Sequence, residues 1–482
     1  MKKYIFYIML IFGLSLGACN DWLDVPSKTE VIDYEMFNTE QGFMDAMAGV
    51  YTLMANDVLY GDMLSMTYLD LLARRFHVFD TYNVSNLGKN LGEANYYEQK
   101  EIVAVIDNFW AKGYNVIANV NSLLEQIEDY KSVFTYDNYR MIKGEALGIR
   151  AFMHFDLMRL FGQAYTLAGD DLTIPYVTEL SGLKWPLFNT EDEVIELALR
   201  DLQQADSLLT VDDMYSSSVE NSWLNNRRSH FNRWAVLATM ARIYHWKGDT
   251  KNALQYAQKV IESLQFRFFD PLIDARDLNF RDVAFYTECI FTLDKFDLRD
   301  VYDKRMGSGG LSATGLRNEI NDIEELYGKS SGGSTDYRFT YLWYLASTDQ
   351  VGGQRYMFYR YNGNVASRTN LVTLIRLSEM YYIAAECCGN TENGRAYLNE
   401  ILINRGLKKL EEGISDEMFQ NEILNEYKKE FFCEGHLFYY YKRLNITDIL
   451  DHDGKTYVNI ETPGYVFPIP EKELELRKGI TE

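Results

Sequence analysis

Leu237, Ala241, Tyr244, Gly248, Ala253, Ala257 and Val260 carry the small and apolar spacing of a tetratricopeptide unit, two antiparallel helices meeting at Gly248-Asp249. The alanines let the two helices approach closely, but such a unit cannot bury its own faces and needs stacked neighbours. The rest of the chain supplies them. Asp107 to Tyr130 places Trp110, Tyr114, Ile117 and Leu124 at helical spacing, and Tyr139 to Phe161 does the same with Ile142, Ala146, Ile149 and Leu157. Thr190 and Glu193 form a capping box that opens Val194, Ala198, Leu202, Ala205 and Leu209, a helix expected to pack against the unit at 237. Leu371 to Cys388 and Gly394 to Arg405 predict a further pair broken at Gly389, and Ser415 caps a last long helix with Phe419, Ile423, Tyr427 and Phe431 in one row. The predicted class is all-α, a tetratricopeptide-like helical-repeat scaffold with long irregular loop insertions.

The insertions fall at roughly 57–100, 165–188, 211–229, 268–370 and 437–482, where no period is clear. The longest holds Gly307-Ser308-Gly309-Gly310, Ser330-Ser331-Gly332-Gly333 and Gly352-Gly353, and also a dense set of rings. Aromatic residues make up 15% of the chain, with 36 tyrosines, and that content argues against disorder. Tyrosine has an apolar face and a hydroxyl, which suits wet recognition surfaces. The expected organisation is a signal segment at 1–18, a tether at 19–38, an N-terminal helical part at 39–267, a loop-rich aromatic segment at 268–370, and a C-terminal helical part at 371–482 that closes the same body.

With Lys+Arg 48 against Asp+Glu 70, the formal charge is −22, which repels phosphate backbones and excludes nucleic acid as a partner. At the N-terminus, Lys2-Lys3 precedes the apolar run Tyr4 to Leu16 and the small residues Gly17-Ala18, the pattern of an export signal. The run falls short of the roughly 20 residues that span a bilayer. Of the later cysteines, Cys289, Cys387, Cys388 and Cys433, none forms a CxxC pair, so buried thiols are expected rather than a zinc cluster or a disulfide framework.

Leu16-Gly17-Ala18-Cys19 resembles a bacterial lipobox, in which Cys19 is lipidated and becomes the mature N-terminus. Asn20-Asp21-Trp22-Leu23-Asp24-Val25-Pro26 continues it, and the whole resembles the SusD/RagB-like outer-membrane nutrient-binding lipoproteins. The resemblance runs on through Phe43–Tyr51, Trp110–Ile117 with Asn121, Gly144–Phe152, Ile375–Glu386, Asn404-Arg405-Gly406-Leu407, Glu430–His436 and Phe467-Pro468-Ile469-Pro470. It implies attachment to the outer membrane through the N-terminal lipid, exposure on the cell exterior, and a SusC-like TonB-dependent transporter as partner. The ligand it implies is an oligosaccharide or, in some members, a peptide. The chain departs from the family at Leu72-Ala73-Arg74-Arg75-Phe76-His77, where acidic residues are common, and it is short for the family. Both departures bear on the ligand class rather than on the fold.

Catalysis is not predicted. The six histidines have no ligand spacing, Gly328-Lys329-Ser330 lacks the upstream glycine of a phosphate loop, and no GxSxG elbow occurs. No metal or cofactor is expected. Sugar rings stack on tyrosine or tryptophan while polar side chains take the hydroxyls, so the ligand-contact candidates, chosen by position, are Tyr96, Tyr97, Tyr302, Tyr327 and Trp343. An open aromatic platform would favour a glycan, a deep closed chamber shared with the barrel a peptide, and buried loop rings a structural adaptor that binds no ligand.

Overall fold

The computed structural model describes residues 36–76, 99–180, 186–215, 221–276, 282–306, 316, 318–329, 334–348, 353–361, 370–450, 457–460 and 462–478. Cys19, Tyr96 and Tyr97 lie outside the described residues.

Helices α1 (Glu40–Met54), α2 (Tyr68–Leu72), α3 (Lys100–Gln126), α4 (Asn138–Phe161) and α5 (Glu191–Leu208) precede the pair α6 (Arg233–Lys247) and α7 (Thr250–Ile261). The predicted turn is present: Gly248 ends α6 in the left-handed region at φ +78°, and Asp249 caps α7 by accepting from the Asn252 amide. The Thr190–Glu193 capping box opens α5 with both reciprocal bonds made. Neighbours then stack in order, α3 on α4, α4 on α5, α5 on α6 and α6 on α7. Helix α4 is buried on nearly every side because α3 and α5 flank it, and close approach is built in at Gly148, where a Cβ would stand 2.5 Å from the Phe231 ring.

The second half is less purely helical than the sequence suggests. Strand β1 (Cys289–Asp294), α8 (Leu298–Arg305), α9 (Ile320–Leu326), α10 (Tyr337–Leu342) and the hairpin β2 (Trp343–Thr348) and β3 (Gly353–Phe358) occupy the segment read as a long loop. Strand β4 (Leu371–Arg376) follows, where a helix was expected to begin. Leu371, Leu374 and Leu377 mimic a helical stripe, but all six residues of β4 are buried, and β4 pairs antiparallel with β1 (Thr292 opposite Thr373). A strand buried on both faces reads as a continuous apolar run, so period alone cannot separate it from a helix. The helix proper, α11 (Leu377–Cys388), starts directly from β4 and pairs with α12 (Glu392–Asn404) across Gly389. Helix α11 also packs on α7, so the repeat scaffold continues into the C-terminal half. Ser415 caps α13 (Asp416–Glu430) as expected, and α14 (His436–Arg443) follows within a segment read as irregular. The result is a mostly helical body. Among the described residues no helix is long and apolar enough to cross a membrane.

Buried ion pairs tie the layers. Arg150 on α4 forks onto Asp201 of α5 at 2.7 Å through two nitrogens, and Arg242 on α6 does the same to Glu379 of α11 at 2.6 Å. A larger cluster links β4, α10, α12 and α13. It sets Arg338, Arg360, Arg376, Arg405 and Lys429 against Asp336, Glu288, Glu426, Glu430 and Glu434. Five cations meet five carboxylates, so the cluster is neutral. The four cysteines beyond position 19 are all unpaired thiols, with Cys289 and Cys433 buried and Cys387 and Cys388 half-buried.

Candidate functional site

Three of the predicted ligand-contact rings belong to the core. Tyr302 is 0% exposed, Tyr327 4% and Trp343 7%, and the Trp343 ring lies 4.8 Å from Phe432 and 5.1 Å from Phe358. The described parts of 268–370 form short helices and strands, each of which must bury its own rings to stay ordered, so little of these three rings is open to a ligand. An exposed aromatic surface does exist, carried by neighbouring residues. On the β2–β3 hairpin, Tyr344 is 49% exposed and stacks on Tyr359 with ring centroids 5.2 Å apart and planes 17° from parallel. Strand alternation accounts for this, because Trp343 and Tyr344 must face opposite sides of the hairpin.

The hairpin is fixed to α9. The Tyr356 hydroxyl donates to Glu324 at 2.9 Å, and Lys329 reaches Glu324 and the Tyr356 oxygen at 2.6 Å each. Helix α9 in turn forms one wall of a cleft of about 440 Å³, within the range of small-molecule pockets. The end of α2, through Ala73, Arg74 and Arg75, and α13, through Asn425, Lys428 and Lys429, continue its lining.

The end of α2 is held from below. The buried Asp70 carboxylate accepts from the amides of Cys433 at 2.7 Å and Gly435 at 3.3 Å, while burial pushes its acid up to about 7. Arg74 then turns the chain at φ +58°, a left-handed conformation that a non-glycine residue rarely adopts, and the Arg75 amide donates back to the Asp70 carbonyl at 2.9 Å. Beyond this turn Arg75 reaches α13, where its guanidinium donates to the Lys428 carbonyl at 2.6 Å and lies 5.0 Å from the centre of the Phe432 ring. Asn318 closes the corner by donating to the Arg75 carbonyl at 2.5 Å. Tyr327 contributes part of its ring, and its hydroxyl donates to the Lys429 carbonyl at 3.0 Å.

Lys428 faces the same space. Burial, aided by the nearby Arg75 charge, lowers its ammonium to about 8. Asn318 and Asn425 add amides, and Leu326, Leu407 and Leu450 add apolar surface. Such a lining can hold a polar molecule through hydroxyl and charge contacts, with apolar surface against its C–H faces. Among the described residues no group of His, Cys, Asp or Glu is arranged to hold a metal ion. Position along the sequence misses Arg75, Lys428, Tyr344 and Tyr359 as site residues. The usable signals are two basic doublets in an acidic chain, Arg74-Arg75 and Lys428-Lys429.

Two family sequence models match this chain. One, described as starch-binding associating with outer membrane, covers residues 21–245, and the SusD family model covers residues 211–482. A SusD-like protein of Formosa agariphila is 22% identical, over 100% of this chain and 98% of its own length. Among solved structures, a SusD-like carbohydrate binding protein from Bacteroides vulgatus superposes with a TM-score of 0.70 at 17% identity, over 91% of this chain and 97% of its own. A SusD superfamily protein from Bacteroides thetaiotaomicron gives 0.66 at 22% identity, over 91% and 98%. These structures share the fold.

Proposed function

This chain belongs to the SusD family, and on that premise we propose that it is an outer-membrane lipoprotein, anchored through Cys19, that captures oligosaccharides and delivers them to a SusC-like TonB-dependent transporter. It binds and hands over its ligand without transforming it. The observation that carries the reading is the cleft between α2, α9 and α13, joined through the Tyr356–Glu324 contact to a hairpin whose exposed Tyr344 stacks on the half-buried Tyr359. Stacking one sugar on one ring stabilises by about 1–3 kcal/mol, and association costs consume much of what two or three rings provide. Capture is therefore weak, roughly micromolar to millimolar. Weak capture suffices beside a transporter, because the held ligand presents a high effective concentration to it.

The exposed Tyr344 ring is what separates this reading from a structural adaptor, which the buried Tyr302, Tyr327 and Trp343 alone would favour. A glycan and peptide array on the full chain tests it, followed by calorimetry on Tyr344→Ala and on the double variant Tyr96→Ala/Tyr97→Ala. Loss of at least about tenfold in glycan affinity, ~1.4 kcal/mol, with an unchanged melt is expected for each. Binding of peptides alone would move the assignment to a peptide-binding lid, and binding of neither class would leave the adaptor.

A further inference from the structure

The chain as a whole is strongly acidic, yet its cleft is not. Four cationic side chains line it, Arg74, Arg75, Lys428 and Lys429, against the three acidic side chains Asp322, Glu325 and Asp336. Two of these seven are already neutralised by the buried cluster. Asp336 is held by Arg338 at 2.7 Å, and Lys429 by Glu426 at 2.8 Å. Cationic residues thus outnumber acidic ones in the lining, four against three, in a protein whose totals are 48 against 70.

Two of these cations, Arg75 and Lys428, act on each other, the Arg75 charge helping to lower the Lys428 ammonium. Arg75 donates its guanidinium to a neutral backbone carbonyl and lies against the Phe432 ring, with the buried Asp70 carboxylate near enough to act on it as a counter-charge from behind. Among the described residues, no ion pair or hydrogen bond engages the Lys428 ammonium. Two like charges held together in a half-buried cleft repel one another, and a ligand anion placed between them would relieve both. Opposite charge in a cleft walled by protein is also screened less than on an open face.

We propose that this cleft takes an anionic glycan, with Arg75 and Lys428 receiving a carboxylate or sulfate group on the sugar ring. The proposal rests on the glycan reading above and narrows it to acidic sugars. It makes a pH signature unavoidable. The ammonium of Lys428, lowered to about 8, is charged near pH 7 and is lost as pH rises past that value, so affinity for an anion falls from pH 7.5 to 9.5. Asp70, behind Arg75 and raised to about 7, is already ionised over most of that window. The other ionisable groups facing Lys428 are those named above, together with the phenols of Tyr327 and Tyr441, which burial pushes up and out of the window.

The test pairs each acidic oligosaccharide with its neutral form on the full chain: uronate oligomers with their methyl esters, and sulfated galactan oligomers with their desulfated forms. Acidic peptides are the third arm. The expected result is an acidic glycan bound at least about tenfold more tightly than its neutral form, weakening several-fold between pH 7.5 and 9.5. Lys428→Gln should remove most of that preference and flatten the pH profile, while Lys428→Arg should keep the preference and lose the pH dependence. Whether uronates or sulfates respond identifies which anion is read. Equal binding of neutral forms, unchanged by Lys428→Gln, would overturn the charge assignment and leave the glycan reading standing. Binding of acidic peptides alone would overturn the glycan reading itself, and binding of nothing would overturn both.

Discussion

Replacing Glu430 by Gln keeps the shape of the side chain and removes one charge from the centre of the buried cluster. Its two oxygens accept from three arginines: Arg376 and Arg405 at 2.5 Å on one, Arg338 and Arg405 at 2.9 Å on the other. These arginines hold the Glu430 carboxyl well below the usual carboxylate range despite its burial. In Glu430→Gln the balance of five cations and five carboxylates becomes five and four, and the new amide N–H₂ points a donor at a guanidinium. Leaving one buried charge uncompensated costs about 3–5 kcal/mol, a large share of the 5–15 kcal/mol that typically separates folded from unfolded protein. For 482 residues unfolding as one unit, the entropy of unfolding is ~1 kcal/mol per degree, so the melting temperature should fall about 3–5 °C. Differential scanning calorimetry against Glu475→Gln, an exposed position, is the assay. The loss should persist in 0.5 M salt, because a dry cluster is poorly screened. A fall no larger than that of the control, or one erased by salt, would show that the cluster is solvated and that the reasoning fails.

Three further outcomes are expected. Cys19→Ala should leave the melt unchanged and release the protein from the outer membrane in cells lacking the transporter; a variant that still pellets with membranes would refute lipid anchoring. A Cβ at position 248 would meet open space and only the left-handed φ opposes it, so Gly248→Val should cost about 1–3 kcal/mol while Gly248→Asn costs almost nothing, and equal melts for the two would remove the strain assignment. Glu145, Glu386 and Glu426 are each lowered to about 2 in the folded protein by arginine partners, so their contribution is complete above the unfolded carboxylate range near 4.5 and is lost as pH falls from there toward 2. Acid titration followed by circular dichroism should show a steep loss of structure below about pH 4, and a flat response down to pH 2.5 would contradict it.

What the sequence discloses follows the range of the interactions involved. Thr190 and Glu193, Gly248 and Asp249, and Ser415 are local devices whose partners lie within a few residues, and each is found where the pattern predicts it. Strand β4 is misread because its partner β1 lies some eighty residues earlier, and nothing local distinguishes Leu371–Arg376 from the first turn of a helix. The ion cluster is hidden for the same reason. Glu288, Arg338, Arg376, Arg405 and Glu430 are far apart along an acidic chain, where each reads as a solvated charge. Arg376 between Ile375 and Leu377, and Glu430 and Glu434 flanking Phe431-Phe432-Cys433, are charges inside apolar runs, and that is the trace burial leaves in the sequence. The rings at Tyr302, Tyr327 and Trp343 mislead in the opposite sense, since glycine-rich surroundings suggest exposure while all three are buried, Tyr327 against Phe339 and Trp343 against Phe358 and Phe432.

The cluster and the cleft share one helix, and this sets what each can change. On α13, Glu426 and Glu430 are four residues apart and fall on the same face, which enters the cluster. Lys428 is two residues from both, about 200° around the helix, and looks into the cleft. A similar division holds at α2, where Asp70 is tied inward to the amides of Cys433 and Gly435 while Arg75, beyond the turn at Arg74, reaches outward. The inward residues set where the walls stand, and the outward ones set what the walls attract. Glu430→Gln should therefore lower the melt without altering which glycan is preferred at temperatures where the protein is folded, and Lys428→Gln should alter the preference without lowering the melt by more than about 1 °C. Were Lys428→Gln to lower the melt as far as Glu430→Gln does, the ammonium would have to be part of the frame, and the separation of frame from reader on α13 would be lost.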